Sequence, residues 1–240
     1  LFNVDGLDTP LFDPLWPVIS RFVGLRQWPG PKQYNRLAED LGVRERFGLH
    51  FSDVTADGLS FEERIAQRAE VQCREQSWHD FFNAMTTVTF PRTKLAINKR
   101  QTGSASGSLG RRDTAQNMLA HFEECGVVVL SANPDLSEHL RGFRWKELFC
   151  RNRAAARRDM RFIIYGHGLY AKALEPYIGF TGHGIIIPCD PHGLDVDIAD
   201  VDGTVAELLD DCGRYRQPKD LAPIPLLGIP GWYADNEHEA

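Results

Sequence analysis

Residues 77–99 read SWHDFFNAMTTVTFPRTKLAINK, and RRD follows at 111–113 after a Gly/Ser-rich link. This stretch joins an aromatic run to His79, Asp80, Asn83, Arg92, Lys94, Asn98, Arg111, Arg112 and Asp113. Ser77 to Thr87 has the pattern of a helix capped by Ser77, with Trp78, Phe81, Phe82 and Met85 on its buried side. His79 and Asn83 are four apart and share a face, with Asp80 at its edge. The pair Phe90-Pro91 breaks this helix, because the residue before a proline avoids the α region, and Pro91 can open the next one. On that second helix Lys94 and Asn98 face together near Arg92.

Imidazole beside carboxylate suits a general base or a divalent-metal ligand. The same letters fit a plainer reading, with Asp80 as a cap and His79 making one structural hydrogen bond. Arg92, Lys94, Arg111 and Arg112 suit a phosphate or carboxylate group. A solvated helix surface explains them too. Gln101 to Gly110 reads as a mobile link, and it lacks the GxxxxGK[ST] pattern of a Walker loop. Asp113 and Gln116 spell a capping box for a helix to Glu124, with Glu123 as a spare carboxylate.

Upstream, residues 1–58 are expected to wrap the core. Short helices are predicted at 14–22 and 31–41, and His50 falls in a loop-like segment without a partner. Ser60 and Glu63 form a capping box for a helix carrying Leu59, Phe61, Ile65, Ala69 and Cys73 on its apolar side. Its charged residues, Arg64 among them, read as solvated, and this helix is expected to lead straight into the central stretch.

Downstream, strands are predicted at 127–130, 160–165 and 185–188, and short helices at 135–140, 144–149 and 169–174. Gly166-His167-Gly168 and Gly182-His183-Gly184 set two histidines at strand boundaries, where a ligand can reach them or where they simply fill tight turns. Residues 151–161 carry five arginines with few aromatics between them, a weak pointer to RNA. Asp195 and Asp197 lie in an acidic run without the EF-hand pattern. A helix is predicted to start near Thr204, and PIPLLGIPGWY at 223–233 reads as a closing strap.

The chain has 240 residues, enough for one self-sufficient core, and residues 59–240 are expected to form the main domain. The fold class expected is α+β or mixed α/β, with a helix-rich first half and a small sheet in the second. A formal charge of -6 argues against general nucleic-acid binding. Five scattered cysteines without CxxC spacing argue against a disulfide framework and point to a reducing cytoplasm. No apolar run approaches the ~20 residues that cross a bilayer, so no membrane partner is expected. The chain lacks a starting Met, which suggests trimming.

Taken together, WHDFFNA at 78–84, FPRTK at 90–94, GRRD at 110–113, RWKELF at 144–149, YGHGL at 165–169 and LGIPGW at 227–232 resemble the bacterial DUF3025 proteins, a family of unknown function. The resemblance runs from about Glu62 onward. It implies a bacterial origin and a domain identity, not a mechanism, and it suggests a family pattern that continues beyond Trp232 and Asn236.

The function expected from the residues is a metal-assisted hydrolase or phosphoryl-transfer enzyme acting on a phosphate-containing small molecule, with a divalent metal as cofactor. His79, Asp80, His167 and His183 would be its ligands or base. Asn83, Arg92, Lys94, Asn98, Arg111, Arg112 and Asp113 would hold the substrate. Two alternatives compete: a nucleotide or nucleic-acid binding module without catalysis, and an interaction protein whose WHD and FPRTK residues form an internal polar network. The last is favoured if the histidines are buried more than about 10 Å apart with no shared cleft, since metal ligation needs contacts near 2 Å.

Overall fold

A computed structural model describes residues 1–103 and 113–237. The chain begins with α1 (Trp16–Ile19), extended by a 3-10 turn at Ser20–Phe22, then α2 (Pro31–Asp40) and α3 (Val43–Phe47). The strand β1 (His50–Asp53) follows, then α4 (Phe61–Arg68) and β2 (Glu70–Cys73). The central stretch is α5 (Trp78–Thr89) and α6 (Pro91–Gly103). Next come α7 (Thr114–Cys125), β3 (Gly126–Ser131), α8 (Pro134–Arg141), a π turn at Glu147–Arg151 and α9 (Arg153–Asp159). The chain continues through β4 (Met160–Ile164), α10 (His167–Ala173), β5 (Thr181–Pro188), α11 (Ile198–Asp210) and β6 (Ala222–Pro225).

The architecture is the mixed α/β single domain anticipated, helix-dominated, with two small sheets. The larger has the order β4-β3-β5-β6. Its two middle strands are parallel, and each edge strand runs antiparallel to its neighbour. Every residue of β3 is buried, as a GVVVLS run with apolar layers on both faces requires. The α7 helix lies against β3 and β5, while α8 lies against β3 and β6.

The helix α5 is the hub. Nine of its twelve residues are buried, and only Trp78, His79 and Thr89 keep partial exposure. Phe81 and Phe82 meet Phe2, Phe12, Phe22, Tyr34, Trp78 and Tyr170 in one aromatic layer. Truncating either Phe to Ala would cost about 3–5 kcal/mol, because so rigid a layer cannot collapse into the void. The proline-rich start of the chain therefore packs inside the core, with Phe2, Val4 and Leu15 fully buried.

Several local expectations change. His50 stands in β1, which pairs in parallel with β2. The α4 helix consequently leads into a strand before α5: Ala69 takes a left-handed conformation (φ 52°) that ends the helix and turns the chain. Arg64 is buried to 1 % exposure, not solvated, because Asp57 and Glu70 neutralise it on both sides. The proline-rich segment expected as a strap begins in the edge strand β6, which tolerates prolines, and continues in a 3-10 turn at Leu226–Gly228. The last long helix starts at Ile198, six residues before Thr204. The carboxylate of its Asp202 accepts the backbone N–H groups of Arg92 and Thr93, capping α6 from outside. The link at 101–110 begins as the last turn of α6, and its residues 104–110 lie outside the described residues.

Candidate metal centre

Three elements converge on one cleft of about 390 Å³. His79 projects from the first turn of α5, Glu124 from the last turn of α7, and His167 from the first residue of α10. The two imidazoles meet edge to face, with ring centroids 4.5 Å apart. The carboxylate of Glu124 stands between them: His79 Nε2 is 3.3 Å from both its oxygens, and His167 Nε2 is 3.3 Å from Oε1. One ligand atom from each residue lies within 4.8 Å of the others. Ligands around a tetrahedral cation at 2.0–2.1 Å are separated by about 3.3 Å, so two edges of such a polyhedron are already in place. His167 is buried, His79 half-buried and Glu124 exposed, leaving the cluster open on the cleft side.

The sequence builds this convergence from small residues. The YGHG turn docks on the end of α7, with the N–H groups of Tyr165 and Gly166 both donating to Gly126 O. A Cβ at Gly166 would stand 2.4 Å from Gly126 N and 2.6 Å from Glu124 O. One at Gly168 would stand 2.5 Å from Glu124 Oε2 and 2.8 Å from Glu124 O. Glycines flank His167 because its turn must touch the backbone that carries Glu124.

Asp80 stands behind His79 rather than beside it in the cluster. Its Oδ1 is 3.2 Å from His79 Nδ1, and it is gripped by Arg74 through Nε (2.9 Å), Nη2 (2.6 Å) and the backbone N–H (2.6 Å). A carboxylate on Nδ1 fixes the tautomer that leaves Nε2 for a metal, the arrangement that supports histidine ligands in metal sites. Burial works to raise the Asp80 carboxyl, but hydrogen bonds from Arg74 and His79 outweigh it and hold the group well below the usual range. The same hydrogen bond to Asp80, and then that to Glu124, lifts His79 to about 9. Bonds from His167 and His79 depress Glu124. Without a cation, protonated His79 is what balances these carboxylates.

The other expected site residues disperse. His183 is on β5 and pairs ring to ring with His121 at 4.0 Å, outside the cluster, and it does not line the cleft. Burial, with the charges of His121 and Lys172, pushes it down to about 4. Asn83 does line the cleft. Lys94 lies beneath it at 1 % exposure, donating to Glu123 Oε1 (2.5 Å) and Asn83 Oδ1 (3.1 Å), with its Nζ 5.0 Å from the Phe61 ring centre. Asn98 donates to Glu62 O, so it ties α6 to α4. The Arg92 side chain is exposed on the α11 side of α6, near Gly203. Asp113 caps α7 in the expected box with Gln116. Arg111 and Arg112 lie outside the described residues.

Sequence reasoning passed over Glu124 in favour of its neighbour Glu123. Burial would raise Glu123, but the charge of Lys94, helped by His167, keeps it ionised at the cleft wall. The local pattern offered no way to choose between two adjacent carboxylates at a helix end.

Residues 49–240 match the family described as "Protein of unknown function (DUF3025)", and the chain belongs to it. No curated protein and no solved structure matches the chain significantly. Among the described residues no helix is long and apolar enough to cross a membrane.

Proposed function

We propose that the protein is a metal-assisted hydrolase in which His79, Glu124 and His167 hold a divalent cation, zinc by the chemistry of two imidazoles and one carboxylate. The observation that carries this reading is the meeting of the three donors in an open cleft, with Asp80 behind His79. Three protein ligands and an open face are the arrangement of catalytic rather than structural zinc. The cation would supply Lewis acidity and acidify water. Asp80 and Arg74 orient His79. Glu123, ionised and held by Lys94, is placed to accept a proton from water and return it to a leaving group. Separated histidines would have favoured the interaction-protein alternative, and these two share a cleft.

The test is zinc titration into chelator-treated protein by calorimetry, with cobalt substitution as a spectroscopic check. One equivalent should bind to the wild type and to His183→Ala. His79→Ala, Glu124→Ala and His167→Ala should each lose it, and Asp80→Asn should weaken it about 10–100-fold. Wild-type affinity in His167→Ala, or no uptake by the wild type, would refute the assignment.

A further inference from the structure

The metal cluster lines its cleft from α5, α7 and α10, and a second set of lining residues comes from the β1–α4–β2 segment. That segment brings apolar side chains to the cleft. Val54, just past β1, is 58 % exposed, and Phe61, the first residue of α4, is partly exposed. Among the described residues Val54 is the one large, exposed apolar side chain that lines this cleft. Ala120 joins them from α7, one turn before Glu124, where a small side chain leaves room beside a metal ligand. Glu62 and Gln72 complete that part of the lining.

These apolar positions are framed on every side. Asp53, before Val54, pairs with Cys73 across the small sheet. After Val54, the Gln72 amide, with its oxygen turned to the donors around it, accepts from the Thr55 N–H (2.8 Å), the Thr55 hydroxyl (3.1 Å) and Arg64 Nε (3.2 Å). Asp57 accepts from the Leu59 N–H (3.3 Å), from Arg68 Nη1 (2.7 Å) and from the buried Arg64. The Ser60–Glu63 capping box sets the backbone at Phe61, and the Phe61 ring centre lies 5.0 Å from the Lys94 ammonium, itself clamped by Glu123. Single exposed hydrophobic residues are ordinary on a protein surface. Here, however, hydrogen bonds and ion pairs hold apolar surface in place within the cleft that carries the metal ligands. Apolar surface gains free energy by leaving water, so a preset face of this kind favours an apolar guest.

We infer that the substrate carries an aliphatic or aromatic group next to the bond cleaved at the metal centre, and that Val54, Phe61 and Ala120 receive that group. This rests on the metal reading above and adds the substrate class. The reacting end lies at His79, Glu124 and His167 and the apolar end at Phe61 and Val54, so the two contacts together fix the direction of the bound molecule. The cleft, about 390 Å³, is at the small end of the roughly 300–1,000 Å³ of small-molecule sites, which suits a single group of this size.

The probes are acetohydroxamate and hexanohydroxamate, which place the same metal-binding group on the cation, each titrated into the zinc-loaded protein. The longer chain adds four methylenes, each worth about fourfold in affinity when fully buried, so about half-burial of the chain should make hexanohydroxamate at least about tenfold the tighter. Val54→Ser, a change at an exposed position that the fold tolerates, should cut that advantage about threefold. Val54→Ser/Phe61→Ala should remove most of it. Both variants should keep wild-type zinc uptake and wild-type affinity for acetohydroxamate. Equal affinity of the two hydroxamates for the wild type, or the full advantage retained by zinc-loaded Val54→Ser, would overturn the apolar subsite and leave the metal centre standing. No zinc uptake by the wild type would overturn both.

Discussion

Replacing Lys94 with Met separates a structural role for this lysine from the anion-binding one its sequence context suggests. The ammonium is buried to 1 % exposure and neutralises Glu123, whose side chain is 14 % exposed. Removing one partner of a buried ion pair typically costs about 3–5 kcal/mol, because the other charge stays behind. Glu123 keeps a long contact to Gln101 Nε2 (3.5 Å) and some water, which places the cost near the lower end. The lost bond to Asn83 Oδ1 adds roughly 0.5–1.5 kcal/mol. The expected total is about 3.5–4.5 kcal/mol at pH 7. With a urea slope near 3 kcal/mol/M, the upper part of the usual range, the midpoint falls by about 1.2–1.5 M. Lys94→Met/Glu123→Leu removes both charges and should recover most of the loss, giving a coupling of about 2–3 kcal/mol. The sign with pH is also fixed. In the wild type Glu123 is depressed, so its contribution is present above the ordinary carboxylate pKa and lost on acidification. In Lys94→Met only the charge of His167 and the Gln101 contact still oppose burial, so the group rises and the variant's deficit shrinks as pH falls and the proton binds. A single-variant cost below about 0.5 kcal/mol, as a surface lysine gives, or strict additivity in the double variant, would refute the clamp.

Two further outcomes follow from distances and charge. Gly168→Ala should keep the fold but displace Glu124, since the new methyl would lie 2.5 Å from Oε2 and 2.8 Å from the Glu124 carbonyl. Zinc affinity should fall at least about tenfold while His183→Ala holds wild-type affinity, and an unchanged affinity would remove the close-approach explanation of the GHG turn. His183 is held neutral by burial and titrates near 4 in the folded chain. An unfolded histidine binds its proton near 6.5, so stability from this group is complete above about 6.5 and is lost between there and about 4. Discounted for its partial exposure the loss is about 1–2 kcal/mol, and His183→Asn should flatten that limb of a urea-midpoint profile. An identical slope in the variant would show that His183 does not carry it.

The helices α4 to α7 were legible because their ends are written locally: Ser60 with Glu63, Ser77, and Asp113 with Gln116 cap where the pattern places them, and α6 opens at Pro91. The short strands β1 and β2 were not, since four-residue strands that pair only with each other have no period of their own. Arg64 looked solvated because its neutralising partners, Asp57 and Glu70, are recognisable only once β2 turns back beside α4. At the site, His79 and His167 were found from their neighbours, a carboxylate and a pair of glycines. Glu124 and the burial of Lys94 depend on α7 packing against α10 and α6, contacts that no local pattern reports. The glycines around His183 resemble those around His167 letter for letter, yet they serve strand packing, with Gly182 against Val127 and Gly184 against Ile224.

The three donors sit 45 and 43 positions apart along the chain, on helices brought together by α10 packing against both α5 and α7. A cation there would act as a tertiary crosslink spanning 88 positions, from the hub helix to the turn after β4. Because the unfolded chain cannot gather these groups, binding and folding draw on one free energy. A cation at 100 times its Kd would add about 2.7 kcal/mol to the native state. Proteolytic resistance and melting temperature in the cell would then follow the free metal concentration, and the lifetime of the protein would report on metal supply.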